Sequence, residues 1–157
     1  MNSPSVRYAE AGDSAAIAAL VNAAFNPERF FISGDRTNPE KVAELLRKGK
    51  FILFFEKDIL CGCVYVELRG ERGYFGLLSV DPQRQRSGIG RQLIAAAEEH
   101  CREAGCRFMD LTFVNLRLPL PAYYRRLGYE ESGTLPFPAD QATPNQPVHL
   151  VRMSKAL

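Results

Sequence analysis

Between Leu77 and Arg91 the chain reads Leu-Leu-Ser-Val-Asp-Pro-Gln-Arg-Gln-Arg-Ser-Gly-Ile-Gly-Arg. An apolar strand runs into Pro82, and Gly88 and Gly90 stand where a helix begins. A helix N-terminus exposes unpaired backbone N–H groups and a partial positive charge. Phosphate oxygens are therefore favoured there, and glycines remove the side chains that would block their approach. Arg84, Arg86 and Arg91 crowd the same turn and suit a small polyanion through charge-assisted hydrogen bonds. On charge alone the run also reads as a solvated turn.

Spacing excludes two familiar phosphate loops. A Walker-type loop needs G-x4-G-K-[ST], and the lysine is missing. A dinucleotide fingerprint needs a third glycine where Leu93 stands. Cys61, Cys63, Cys101 and Cys106, with only His100 and His149 to assist, match no common zinc spacing, so no metal is expected. Cys61 and Cys63, two apart in a strand-like run, are expected on one face of the core. Tyr123 and Tyr124 precede Gly128 on a short helix, where a tyrosine pair taken alone reads as packing.

At 157 residues one domain, 1–157, is the expectation. The apolar fraction is 46% and the charged fraction 24%, ordinary for a folded globular chain. The apolar stretches Phe51 to Phe55 and Ile59 to Val66 fall short of the ~20 residues a membrane helix needs. Met1 to Arg7 shows no secretory pattern, so a cytoplasmic setting without membrane contact is expected. A net charge of +2 argues against a general nucleic-acid binder.

Val6 to Tyr8 reads as a strand. Asp13 reads as N-cap to a helix carrying Ile17, Leu20, Val21 and Ala24. Asn38-Pro39 starts a second helix that stops at Gly49. Phe51 to Val80 reads as three antiparallel strands broken at Glu56 to Asp58 and Arg69 to Gly73. A long helix follows from about Ile89 to Ala104. Arg107 to Val114 is then a strand parallel to its predecessor, because a helical crossover joins them. A short helix near Ala122 to Leu127 and strands near Tyr129 to Gly133 and Val148 to Met153 complete the order, with a proline-rich loop between those strands. The class is α+β, a mixed α/β sandwich whose sheet carries helices on its faces.

The stretch resembles the acyl-CoA signature [QR]-x-x-G-x-[GA] of the GNAT superfamily of N-acetyltransferases, met by Gln85, Gly88 and Gly90. As in that family, a valine-acid-proline run, Val80-Asp81-Pro82, precedes it and a long helix follows. Tyr124 to Tyr129 is similar to the family's Tyr-x-x-x-Gly-[Phe/Tyr] segment. The resemblance covers Val6 to Met153 and implies a mostly antiparallel sheet of about six or seven strands with helices on both faces.

The resemblance further implies acetyl-CoA as cosubstrate, without a metal, and direct attack by a primary amine of a small molecule or peptide. Leu78, Ser79 and Val80 would hold the thioester carbonyl and pantetheine arm through main-chain groups. Gln85, Arg86, Ser87, Gly88, Ile89, Gly90 and Arg91 would hold the pyrophosphate. Tyr124 would protonate the leaving thiolate, since a phenol of pKa about 10 keeps its proton at neutral pH. Glu67, Asp110 and Tyr74 are the residues that could serve as base, and each reads equally as an exposed strand residue. The family's asparagine stands closer to its tyrosine than Asn115 does to Tyr124, so a reshaped loop would have to bring Asn115 to the coenzyme. A non-catalytic acyl-CoA-binding module is the alternative, and an edge strand would allow a homodimer.

Overall fold

The computed structural model describes residues 4–25, 35–85, 87–138 and 144–157. Strand β1 (Ser5–Tyr8) pairs antiparallel with β2 (Lys50–Glu56). A tight turn at Ala11–Asp13 leads into helix α1 (Ser14–Ala24), which buries Ile17, Ala18, Leu20 and Val21. Asp13 does not cap α1 with its side chain as the sequence suggests. Its backbone is already helical, so the carboxylate turns back to accept the Glu10 N–H at 2.8 Å and to pair with Arg7 at 2.9 Å. Helix α2 (Pro39–Lys48) starts as read, with the Asn38 side chain accepting the Lys41 N–H at 2.9 Å.

Strands β2, β3 (Ile59–Arg69) and β4 (Arg72–Val80) form an antiparallel meander. Helix α3 (Ile89–Glu103) crosses over to β5 (Phe108–Val114), which pairs parallel with β4. Helix α4 (Leu120–Arg126) precedes the outer strand β6 (Glu130–Pro136), and β7 (His149–Ala156) inserts between β5 and β6. The seven-stranded sheet has the order β1-β2-β3-β4-β5-β7-β6. Among the described residues no helix is long and apolar enough to cross a membrane.

The sheet separates two apolar layers. Ile89, Leu93, Ile94, Ala97 and Cys101 of α3 pack on one face with Phe54, Val64 and Phe75, while α1 and α2 cover Phe51, Leu53 and Tyr65 on the other. Full burial of each large side chain contributes about 1.5–3 kcal/mol. Cys61 and Cys63 do not share a face: Cys61 belongs to the α3 layer and Cys63 to the α1 layer. The cause is a bulge, since Phe54 faces Gly62 while Phe55 faces Leu60, leaving Cys61 as an extra residue that reverses the alternation.

A second bulge lies in β4. Tyr65 faces Gly76 and Cys63 faces Ser79, so β4 spends three steps against two on β3, and Leu77 adopts a φ of 52°. That bulge sits at the centre of the sheet, where the site is built.

Candidate active site

Strands β4 and β5 pair only at their starts, through Arg72↔Phe108, Gly73↔Met109 and Tyr74↔Asp110. Beyond those residues the two strands have no register with each other, although β4 continues to Val80 and β5 to Val114. Parallel strands that part in mid-sheet leave backbone N–H and C=O groups without a ladder partner on their facing edges, and such groups seek a polar ligand. The wedge is part of a cavity of about 830 Å³, bounded by β4, β5, the glycine turn and α4.

The turn is shaped by its own residues. The Asp81 carboxylate accepts the Gln83 N–H at 2.9 Å and pairs with Arg84 at 3.2 Å, which curls Pro82–Arg84 into a tight turn. The Ser87 hydroxyl donates to the Arg84 carbonyl. Gly88 then takes a φ of 85°, a left-handed conformation that a side chain would strain, and no side chain caps the helix that follows. The first N–H groups of the 15-residue α3 are thereby left for an anion at the positive end of its dipole. A Cβ at Gly90 would come 3.2 Å from the Tyr123 hydroxyl and 3.8 Å from Val80, so the glycine keeps this side of the cavity open.

Leu78, Val80, Gln85, Ser87, Gly88, Ile89, Gly90, Arg91 and Tyr124 all line the cavity. Ser79 does not. It is buried, and its hydroxyl donates to the Leu77 carbonyl at 2.9 Å. Arg86 lies outside the described residues. Asn115 is also absent from the lining: its side-chain oxygen accepts the His149 N–H at 3.0 Å, and its own N–H donates to the His149 carbonyl at 2.9 Å. Its side chain thus ties the end of β5 to the start of β7.

Tyr124 is 7% exposed and held by the rings of Phe75, Phe113, Tyr123 and Tyr129 at centroid distances of 5.3 to 6.2 Å. Burial pushes its phenol well above the ordinary tyrosine value, the nearby Tyr123 adds to the rise, and the charge of Arg117 pulls back against it.

The three residues considered as base separate clearly. Glu67 accepts from the Tyr65 hydroxyl at 2.7 Å and Arg69 at 3.0 Å, and Asp110 takes Arg72 in a two-pronged pair at 2.7 and 2.8 Å. Burial alone would raise both carboxyl groups, but these donors outweigh it and hold them below the ordinary range. Neither lines the cavity, whereas Tyr74 does, with the Arg69 guanidinium 4.1 Å over its ring.

A sequence profile of the acetyltransferase (GNAT) family matches residues 16–129, a span that takes in both sheet bulges, the glycine turn and α4. The chain belongs to the GNAT family. It is accordingly an acyl-CoA-dependent acetyltransferase. No curated protein matches it by sequence. The fold is shared with solved GNAT structures at low identity. The ribosomal-protein-S18-alanine N-acetyltransferase from Escherichia coli superposes with a TM-score of 0.78 at 15% identity, covering 98% of this chain and 94% of that one. The ribosomal-protein-alanine N-acetyltransferase from Brucella melitensis gives 0.77 at 21% identity, covering 98% and 99%. YncA from Salmonella typhimurium, solved with its cofactor acetyl-CoA, gives 0.76 at 17% identity, covering 99% and 95%.

Several lining residues of this GNAT chain were not legible as such. Tyr123 reads as core, yet it lines the cavity half-buried beside Gly90. Arg36, which by sequence reads either as a substrate contact or as a solubilising loop residue, lines its other part with Phe25 and Arg117, and nothing in the spacing of loop residues signals the latter two.

Proposed function

We propose that this chain transfers the acetyl group of acetyl-CoA to a primary amine of a small molecule or peptide by direct attack. The observation that carries this reading is the continuity of one cavity from the uncapped start of α3, along the unpaired edge of β4, to the buried phenol of Tyr124. The pyrophosphate would lie on the N–H groups of the turn, with Gln85, Ser87 and Arg91 alongside. The pantetheine arm would run beside Leu78 to Val80, whose main-chain groups complete the missing ladder. Preorganised N–H groups at the Leu77 bulge would stabilise the developing oxyanion.

In the transfer, the amine nitrogen forms a bond to the acetyl carbonyl carbon and the carbon–sulfur bond breaks. The amine gives up one proton to water in the cavity, and the departing thiolate takes one from Tyr124, which is then restored from solvent. Glu67 and Asp110 are committed to ion pairs, so this scheme routes the proton to water rather than to either of them. The four cysteines are free and buried, which suits a reducing cytoplasmic setting. A second copy of the chain would pair through an outer strand, β1 or β6.

Titration calorimetry with acetyl-CoA, followed by thiol release on adding primary amines, tests the reading. Binding with amine-dependent thiol release is expected. Binding without release from any amine would leave a non-catalytic acyl-CoA-binding module, and absence of binding would overturn the assignment.

A further inference from the structure

The described lining of the cavity carries formal charge of one sign. Among the described residues it includes Arg36, Arg84, Arg91 and Arg117 and neither aspartate nor glutamate. Arg84 and Arg91 belong to the glycine turn, where Arg84 is paired with Asp81 and Arg91 would answer to the coenzyme phosphates. The other two arginines gather about Phe25, with the Arg36 guanidinium 5.3 Å and the Arg117 guanidinium 5.9 Å from its ring centroid. This cluster lines the same cavity as the Tyr124 phenol.

Arg36 is held in place by its neighbours. The Asn22 side-chain amide of α1 grips the backbone of Thr37 twice, donating to its carbonyl at 3.0 Å and accepting its N–H at 2.9 Å, and Thr37 is 5% exposed. The segment bearing Arg36 is therefore anchored to α1. No carboxylate among the described residues lies within ion-pair distance of Arg36. A guanidinium resting on an aromatic face keeps the donor edge of its plane available, and that fork fits a carboxylate or a phosphoryl group.

We infer that the acceptor is an amine that also carries an anionic group, and that Arg36 is the residue that reads that charge; the inference rests on the acetyl-transfer reading above. An acceptor bearing only an ammonium group would enter a field of like sign. One with a carboxylate brings a charge that no described lining residue supplies. The same field serves the chemistry, since neighbouring cations disfavour the ammonium form and so present a larger fraction of the free amine to the thioester.

The test uses the full chain, acetyl-CoA and thiol release. Acceptors come in matched sets: α- and ω-amino acids, their carboxamides, diamines of equal length, and alanine against an alanyl peptide amide. At least one amino acid should exceed its carboxamide by roughly ten- to hundredfold in kcat/KM, the range for one charge-assisted hydrogen bond. Arg36→Gln should collapse that ratio towards one, and Arg36→Lys should restore part of it. Amides, diamines or the peptide acting as well as the amino acids would overturn the inference, as would a ratio that survives in Arg36→Gln. Transfer to uncharged amines would leave the acetyltransferase reading standing, whereas failure of acetyl-CoA to bind in calorimetry would remove both.

Discussion

Gly90→Asp separates what the glycine turn does for the fold from what it does for a ligand; alanine is a poor probe, because the family signature accepts it at this position. The added Cβ would stand 3.2 Å from the Tyr123 hydroxyl and 3.8 Å from Val80. The hydroxyl ends a side chain that can yield a few tenths of an ångström. Gly90 is also the second residue of α3, where a carboxylate is favoured by about 0.3–1 kcal/mol through the helix dipole. The variant should therefore fold, with stability within about 1 kcal/mol of wild type. In the cavity the same carboxylate brings negative charge to N–H groups that must meet phosphate oxygens at about 2.9 Å. Displacing one such charge-assisted hydrogen bond costs about 1.5–3 kcal/mol, or roughly ten- to hundredfold in Kd. Urea unfolding and titration calorimetry with acetyl-CoA measure the two quantities on one preparation. Gly12→Asp, where an added Cβ meets nothing within 4 Å, is the control. Unchanged acetyl-CoA affinity in a folded Gly90→Asp variant would refute the placement of the pyrophosphate at this turn.

Other parts of the structure make independent predictions. Tyr129→Phe removes the hydroxyl that donates to buried Glu98 at 2.6 Å while Lys155 stays at 3.1 Å, so urea unfolding should show a loss of about 1.5–3 kcal/mol; a neutral result would contradict the bond's structural role. The folded-state pKa of Asp110 is lowered, so its contribution to stability is present above the ordinary carboxyl value of about 3.9 and disappears as pH falls through the lower folded value. Asp110→Asn should thus cost about 1 kcal/mol at neutral pH, Arg72 being 42% exposed, and should flatten the decline of stability on acidification below about pH 4. Because burial raises the Tyr124 phenol, the rate of acetyl transfer should show no alkaline decline below about pH 10; a decline centred near neutrality would assign the acid elsewhere.

The glycine turn, the order of elements and the start of α2 were legible because each rests on local rules: strand-to-helix spacing, the crossover and the Asn38 cap. What escaped was decided by pairing across the sheet. Leu77 adopts its positive φ without being glycine, and Cys61 is squeezed out of register by its partners in β2, so neither bulge has a local signature. The partition of carboxylates was hidden for the same reason. Asp110 meets Arg72 only because β5 lies beside β4, and Glu67 is drawn to Tyr65 and Arg69 along its own strand. Asn115 looks like a ligand-binding polar residue until β7 arrives to occupy it. Arg36 and Arg117 are loop arginines in the sequence, and their meeting at Phe25 is a contact between distant segments.

The claim on which the rest depends is that Tyr124 protonates a coenzyme thiolate at the end of this cavity. Acetyl transfer by Tyr124→Phe, followed by thiol release at saturating acetyl-CoA with the coenzyme Kd measured alongside, tests it most directly. The account predicts a fall in kcat of roughly 10²- to 10⁴-fold, the range for general acid catalysis, with Kd within about twofold of wild type. Wild-type turnover in the variant would contradict it, as would a loss of turnover matched by an equal loss of acetyl-CoA binding.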